Sequence, residues 1–437
     1  MTEDLETRPR ETTGRYLVLL PQEETSLGIS ALSNSSGVPA SDMSVYSNLG
    51  VAVVTLDPDR LRSVRAAVVG DAPLLGIEPE QILYALGDSS VSEHMANYLQ
   101  GYKDGVTHLV DSLTGATVAE DRQLSTTAFA DGSATWGLQA TKVIGSRYSG
   151  AGIKIAVLDT GLDLTHPDFV GRNVTSKSFI AGEQVQDLVG HGTHCIGTAC
   201  GALNPPDPTA PMRYGIAYNA EIFAGKVLDN QGSGADGGIL AGIDWAIANG
   251  CQIISMSLGA ATVPGEAFSQ IYERVARRAL ARGTLIIAAA GNESRNRFTG
   301  RRRVPPNPVG RPANCPSIMA VAAIDKMFQV AAFSNSSINT NGGSVDIAAP
   351  GVDIYSTYST NTIRQILPDG SIDPNPPARY RRLNGTSMAT PHVAGIAALY
   401  AESTGKRGLE LWTILTQNAL RLNLPLPDVG SGLVQAP

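Results

Sequence analysis

Five short runs constrain this chain more than anything else in it. Ile153–Leu158, Glu221–Val227, Ile253–Met256, Thr284–Ala290 and Ile318–Val321 are rich in β-branched residues and almost continuously apolar. Helical windows, notably Gly238–Asn249 and Ala267–Arg282, lie between several of them. A strand with one wet face alternates apolar and polar residues, whereas a strand buried on both faces does not. Such strands alternating with helices predict an α/β fold, a largely parallel sheet with helices on both faces. The pattern starts near Thr135, so one large domain is expected over residues 131–437. With 43% hydrophobic and 17% charged residues, the chain can bury a core of that size, and wholesale disorder is excluded.

Upstream, the pattern differs. Residues 1–14 read as a polar tail. Residues 15–88 read as a small α+β domain: Tyr16–Leu20 and Gly50–Leu56 are strand-like, and Asp57 with Pro58 marks the start of a helix through Arg60–Val69. The run Leu75–Leu86 closes that unit as a strand. Residues 89–130 read as a helix and linker. Ser90 and Glu93 have capping-box spacing, and Met95, Leu99, Tyr102, Val106, Leu109 and Leu113 form one apolar stripe. Gly101 and Gly105 interrupt it, which favours a helix packed on a neighbouring domain over a coiled coil, with His94 and His108 at its surface.

Charge and cysteine content narrow the function. Thirty-three basic against 40 acidic residues leave a net charge of −7, and the one dense basic run, Arg301–Arg303 with Arg295, Arg297 and Arg311 nearby, reads as a solvated loop. Nucleic acid is not an expected partner. Four cysteines, Cys195, Cys200, Cys251 and Cys315, are too few for a disulfide scaffold and have no zinc-site spacing. No apolar run is long enough for a membrane span, and the charged N-terminus does not read as a secretory leader. An intracellular location is therefore expected, although leaderless export would leave the same trace.

Four short segments in the large domain carry chemistry. Asp159 ends an apolar run and precedes Gly161, which places its carboxylate at a strand's carboxyl end, where open α/β sheets put their ligands. His191 is flanked by Gly190 and Gly192 at the start of a helical stretch. Asn292 follows Gly291. Ser387 follows Gly385-Thr386 and opens a small-residue helix, Ala389–Tyr400, where backbone N–H donors suit a developing oxyanion. Pro391 lies in the first turns of that helix, where proline is tolerated. Singly, each segment also reads as a turn or cap; together in one α/β domain they do not.

Over about residues 135–437 the chain resembles the subtilisin-like serine endopeptidases, the subtilases. The resemblance implies a nucleophile at Ser387, a general base at His191, an orienting carboxylate at Asp159 and an oxyanion-hole amide at Asn292. It implies two segments, Gly232-Ser233-Gly234 and Ser257-Leu258-Gly259, between which a protein or peptide substrate pairs as a strand. Ala290, Gly291 and Glu293 would help to wall the pocket for the residue before the scissile bond, with Glu293 either selecting a basic side chain or facing solvent. Residues 15–88 resemble the family's propeptide, which implies a self-processing zymogen, and a monomer is expected. Catalysis would need no cofactor, but Asp168 matches a structural calcium ligand of the family. Cys195 lies where some relatives carry a thiol beneath the catalytic histidine. Residues 360–382 look like an insertion. A peptide cyclase or transamidase on the same scaffold, or a non-catalytic peptide-binding module, are the alternatives.

Overall fold

The computed structural model describes residues 11–86, 129–208, 210, 212–296, 299–362 and 378–437. The apolar stripe from Met95 to Leu113, Arg297 and the middle of the 360–382 segment lie outside the described residues.

The first unit is an antiparallel sheet of β1 (Thr12–Leu19), β2 (Ser44–Tyr46), β3 (Val51–Thr55) and β4 (Gly76–Ala85), in the order β4-β1-β3-β2. Two helices, Thr25–Ser36 and Pro58–Val69, accompany it. Asp57 caps the second as its sequence predicts, accepting from the amides of Asp59 and Arg60 at 3.1 and 2.9 Å. The expected polar tail is too long: β1 starts at Thr12, because Thr12 pairs with Gln81. Both faces of the sheet are apolar. Val18, Ala52 and Val54 pack with Leu32 and Val64 in the unit's own core, whereas Leu17, Leu19, Val51, Val53 and Leu83 join the core of the large domain. Strand alternation thus supplies one face for cohesion and one for docking.

The chain continues as β5 (Lys154–Asp159), β6 (Val174–Ser178), β7 (Glu221–Lys226), β8 (Ser233–Ala235), β9 (Ile253–Met256) and β10 (Leu258–Gly259). It ends with β11 (Leu285–Ala289), β12 (Met319–Ile324), β13 (Ile347–Pro350), β14 (Ile354–Thr357) and β15 (Tyr380–Leu383). Seven strands form the all-parallel sheet, in the order β13-β12-β11-β9-β5-β7-β6. The five apolar runs are β5, β7, β9, β11 and β12. The sheet also takes in β6, an edge strand whose mostly exposed V-T-S-K-S carries no apolar signal, and the short β13. Strand order reverses beside β5, which opens a crevice at the carboxyl ends of β5, β9 and β11.

Helices Asp236–Ala248 and Gln270–Ala281 pack between the parallel sheet and the N-terminal unit, and His191–Cys200 lies against Thr386–Thr404. β14 and β15 form an antiparallel hairpin, so the end of the expected 360–382 insertion is instead a paired strand leading to Ser387. Among the described residues no helix is long and apolar enough to cross a membrane.

Gly395 lets the helices of His191 and Ser387 approach: a Cβ there would lie 2.8 Å from Ile216 Cβ and 2.9 Å from the Ala199 carbonyl. Gly395→Ala should therefore lower stability by about 1–3 kcal/mol despite alanine's better helix propensity, read as a lower Tm in thermal unfolding.

Candidate active site

Asp159 ends β5, and its Oδ1 accepts from the Thr160 amide at 2.7 Å and lies 2.8 Å from His191 Nδ1. His191 opens its helix directly after Gly190, whose φ of +92° is left-handed, with the Tyr358 ring packed on the space a Cβ would need. Burial disfavours the charged imidazole, but the Asp159 carboxylate outweighs it and holds His191 well above the ordinary histidine value. His194 and His392, buried and facing only backbone carbonyls, are pushed down to about 3 and about 4 and stay neutral. His191 Nε2 has no hydrogen-bond partner among the described residues.

Ser387 lies in the first turn of Thr386–Thr404. Pro391 has no N–H to give the Ser387 carbonyl, the acceptor that an uninterrupted helix would use. That carbonyl accepts instead from Ser257 Oγ at 2.8 Å and from Cys195 Sγ at 3.5 Å. The proline thereby frees the Ser387 carbonyl to be tied to Ser257, just after β9, and to the helix of His191. Cys195 Sγ lies 3.9 Å from His191 Nδ1, and burial pushes its thiol up, so it sits behind the pair as a neutral thiol.

Ser387 Oγ is 2.6 Å from the carbonyl oxygen of Leu86 and 3.0 Å from that of Ser257. Asn292 Nδ2 also donates to the Leu86 carbonyl, while its Oδ1 is fixed by the Thr386 amide and hydroxyl at 3.0 and 2.9 Å. Gly385 permits this approach, since a Cβ there would fall 2.7 Å from the Leu86 oxygen.

The segment ending at Leu86 is the end of β4, which runs antiparallel between β8 and β10. Leu83 and Tyr84 pair with Gly234 and Ser233, while Tyr84 and Ala85 pair with Gly259 and Leu258. Ala85 donates to the Gly232 carbonyl at 2.9 Å and Leu86 to the Ser257 carbonyl at 3.2 Å. Six residues expected to pair with a substrate strand therefore pair with the chain's own residues 83–86. Of the expected pocket wall, Ala290 and Gly291 lie beside Asn292, the Gly291 amide donating to Thr386 Oγ1 at 3.2 Å. Glu293 is bonded to Asn335 Nδ2, and burial raises its carboxyl.

Asp168 does not fit a calcium site. Its Oδ1 accepts from the Tyr380 hydroxyl at 2.8 Å and its Oδ2 from the Tyr214 hydroxyl. Two phenols occupy the directions a cation would need, and tie the strand before Ser387 to the 167–169 turn. In the basic run, Arg302 is half-buried and forks onto Asp428 at 2.8 and 2.6 Å. Lys226 carries no sequence signal of its role. Fully buried, its Nζ donates to the carbonyl of Thr160, next to Asp159, at 2.7 Å and to Asn230 Oδ1, in the turn before β8, at 3.0 Å.

Residues 150–423 match the subtilase family. The chain is 38% identical over 263 residues to subtilisin DY of Bacillus licheniformis, covering 60% of this chain and 81% of that protein. It is 40% identical over 254 residues to subtilisin E of Bacillus subtilis, covering 58% of this chain and 56% of the relative. To a subtilisin of Bacillus pumilus it is 40% identical over 254 residues, 58% and 78% of the two chains. The expected intracellular location is corrected by these matches, because the relatives are secreted extracellular subtilisins.

The Asp159 carboxylate is the largest influence raising His191, ahead of Cys195, so its removal has a defined direction. In NMR titrations the His191 ring should protonate with a midpoint above 6.5 in the Ser387→Ala protein, and Asp159→Asn should move it downward. An unchanged midpoint would mean that the Asp159 charge does not set it.

Proposed function

Because the chain belongs to the subtilase family of serine endopeptidases, we propose that Ser387, His191, Asp159 and Asn292 hydrolyse peptide bonds in it, and that its own N-terminal unit holds the site as a self-inhibiting precursor. The observation that carries this reading is the Leu86 carbonyl, bonded at once by the Asn292 amide and the Ser387 hydroxyl, with the Leu86 amide on the Ser257 carbonyl. That is the arrangement of a strand presented for cleavage after Leu86.

In the proposed reaction Ser387 Oγ attacks the carbonyl carbon and its proton passes to His191 Nε2. Asp159 holds the ring with Nδ1–H toward itself and stabilises the imidazolium. Charge developing on the carbonyl oxygen meets the Asn292 amide, already oriented by Thr386, and the Ser387 backbone N–H. Collapse expels the amine, which takes the proton from His191. Water then repeats the sequence on the acyl-enzyme, leaving a carboxylate on Leu86 and a free serine. Subtilases work without a catalytic cofactor, and all four groups come from one chain, which favours a monomeric working unit. A calcium at Asp168 has no part in this reading, since both carboxylate oxygens are spent on tyrosines.

Leucine at the reacting position also supports an apolar preference there. A Cβ on Gly259 would meet Leu86 Cδ1 at 3.0 Å, and Glu293 is engaged by Asn335 rather than poised for a cation. Cleavage of the Leu86–Gly87 bond would separate residues 1–86 and leave residues 87–130 ahead of the catalytic domain.

Intact mass spectrometry over hours should show the wild type splitting into residues 1–86 and 87–437 while Ser387→Ala stays whole. A wild type that stays whole, or splits elsewhere first, overturns the assignment of Leu86. On an external peptide anilide with leucine before the scissile bond, Asn292→Ala should lower kcat about 10²–10³-fold with little change in KM.

A further inference from the structure

Beyond the cleft, β4 continues across the catalytic domain, and the domain goes on contacting it. Asp236, buried at the start of its helix, accepts from the Gln81 amide at 2.9 Å and from Arg311 Nη2 at 2.9 Å. Further along, the Glu78 carboxylate is received entirely by catalytic-domain groups. Ser269 Oγ donates to Oε2 at 2.6 Å, the Gln270 and Ile271 amides donate to Oε1 at 2.8 and 3.3 Å, and Arg311 Nη1 lies 3.8 Å from Oε2. The two amides open the 12-residue helix Gln270–Ala281, whose dipole favours a negative charge there. Arg311 is 7% exposed, its ring-stacked guanidinium is held over Tyr272, and its Nε has no partner among the described residues. Glu80 differs. Its carboxylate is shared with Arg15 and Thr13 of its own unit, so its contact with the Gly237 amide belongs to the docked unit alone.

We propose that Ser269, the Gln270 and Ile271 amides and Arg311 form a carboxylate-binding exosite that remains on the catalytic domain when the N-terminal unit leaves. It would select protein substrates with an acidic residue eight positions before the leucine at the cleavage point, the spacing of Glu78 from Leu86. The inference rests on reading the segment up to Leu86 as a removable inhibitor. The site supplies a hydroxyl, two oriented amides and a buried cation, which recognise a carboxylate and leave an amide of the same shape poorly paired. Because eight strand residues, about 26 Å of extended chain, separate Glu78 from Leu86, it acts on binding rather than on the chemical step.

The test uses full-length protein allowed to process itself, then assayed on two long peptides that differ only by Glu or Gln eight residues before the cleaved leucine, beside a tetrapeptide anilide whose leucine carries the scissile bond. The Glu peptide should have about tenfold higher kcat/KM, carried by KM, and the preference should shrink with added salt. Ser269→Ala and Arg311→Met should bring the Glu-to-Gln ratio toward one. Reading the ratio cancels any general loss of activity in either variant. Equal rates on the two peptides from a wild type that turns over the tetrapeptide overturn the exosite alone. A chain that does not split after Leu86, or does not then cut the tetrapeptide, overturns the precursor reading and the exosite with it.

Discussion

One strand belongs to two sheets, and the architecture follows from that. β4 pairs with β1 along its first half and with β8 and β10 at its end. The N-terminal unit therefore cannot shift its register against β1 without moving Leu86 relative to Ser387. Docking is reinforced where the apolar face of the small sheet meets the two helices beneath it, and where Glu78 and Glu80 meet their N-terminal amides. Burial of Leu17, Leu19, Val51 and Val53 provides the non-directional part of that contact. The ladder and the carboxylates provide the direction.

At the crevice, the chemistry depends on which imidazole is able to take up a proton. Three buried histidines lie near one another, yet only His191 has a carboxylate on its ring, and it alone is held up. His194 serves instead as a neutral donor to the β14–β15 hairpin through Ile354 and Arg381. Lys226 is retained as a fully buried cation by the Thr160 carbonyl, Asn230 and Glu183, linking the neighbour of Asp159 to the turn that precedes β8. A charge so placed is costly unless its partners are fixed, so the same contacts that stabilise it also hold the loops.

The Asp168 cluster solves a similar problem without an ion. A carboxylate buried at a turn needs donors, and Tyr214 and Tyr380 supply them from two separate segments. His166, edge-on to Tyr380 and bonded to the Arg379 carbonyl at 2.9 Å, closes the same cluster. The strand before Ser387 is thereby anchored by phenols, where the family resemblance had pointed to calcium.

Much of this was legible in the sequence. Fully apolar β5, β7, β9, β11 and β12 announce a sheet covered on both faces, because period and burial are local properties of the chain. The glycine-flanked His191, the strand-end Asp159 and the helix-opening Ser387 are legible for the same reason. β6 was not, since an exposed edge strand has no apolar pattern, and neither was helix Thr25–Ser36, which buries only three of its residues. The sequence alone thus determined the fold class and singled out the residues proposed to react. Only the tertiary structure decided what faces them: that Leu86 occupies the crevice, that Asp168 meets tyrosines and that Glu78 meets Arg311. Those pairings join residues tens to hundreds of positions apart, and nothing in the spacing of side chains along a strand or helix encodes which distant segment will supply the partner.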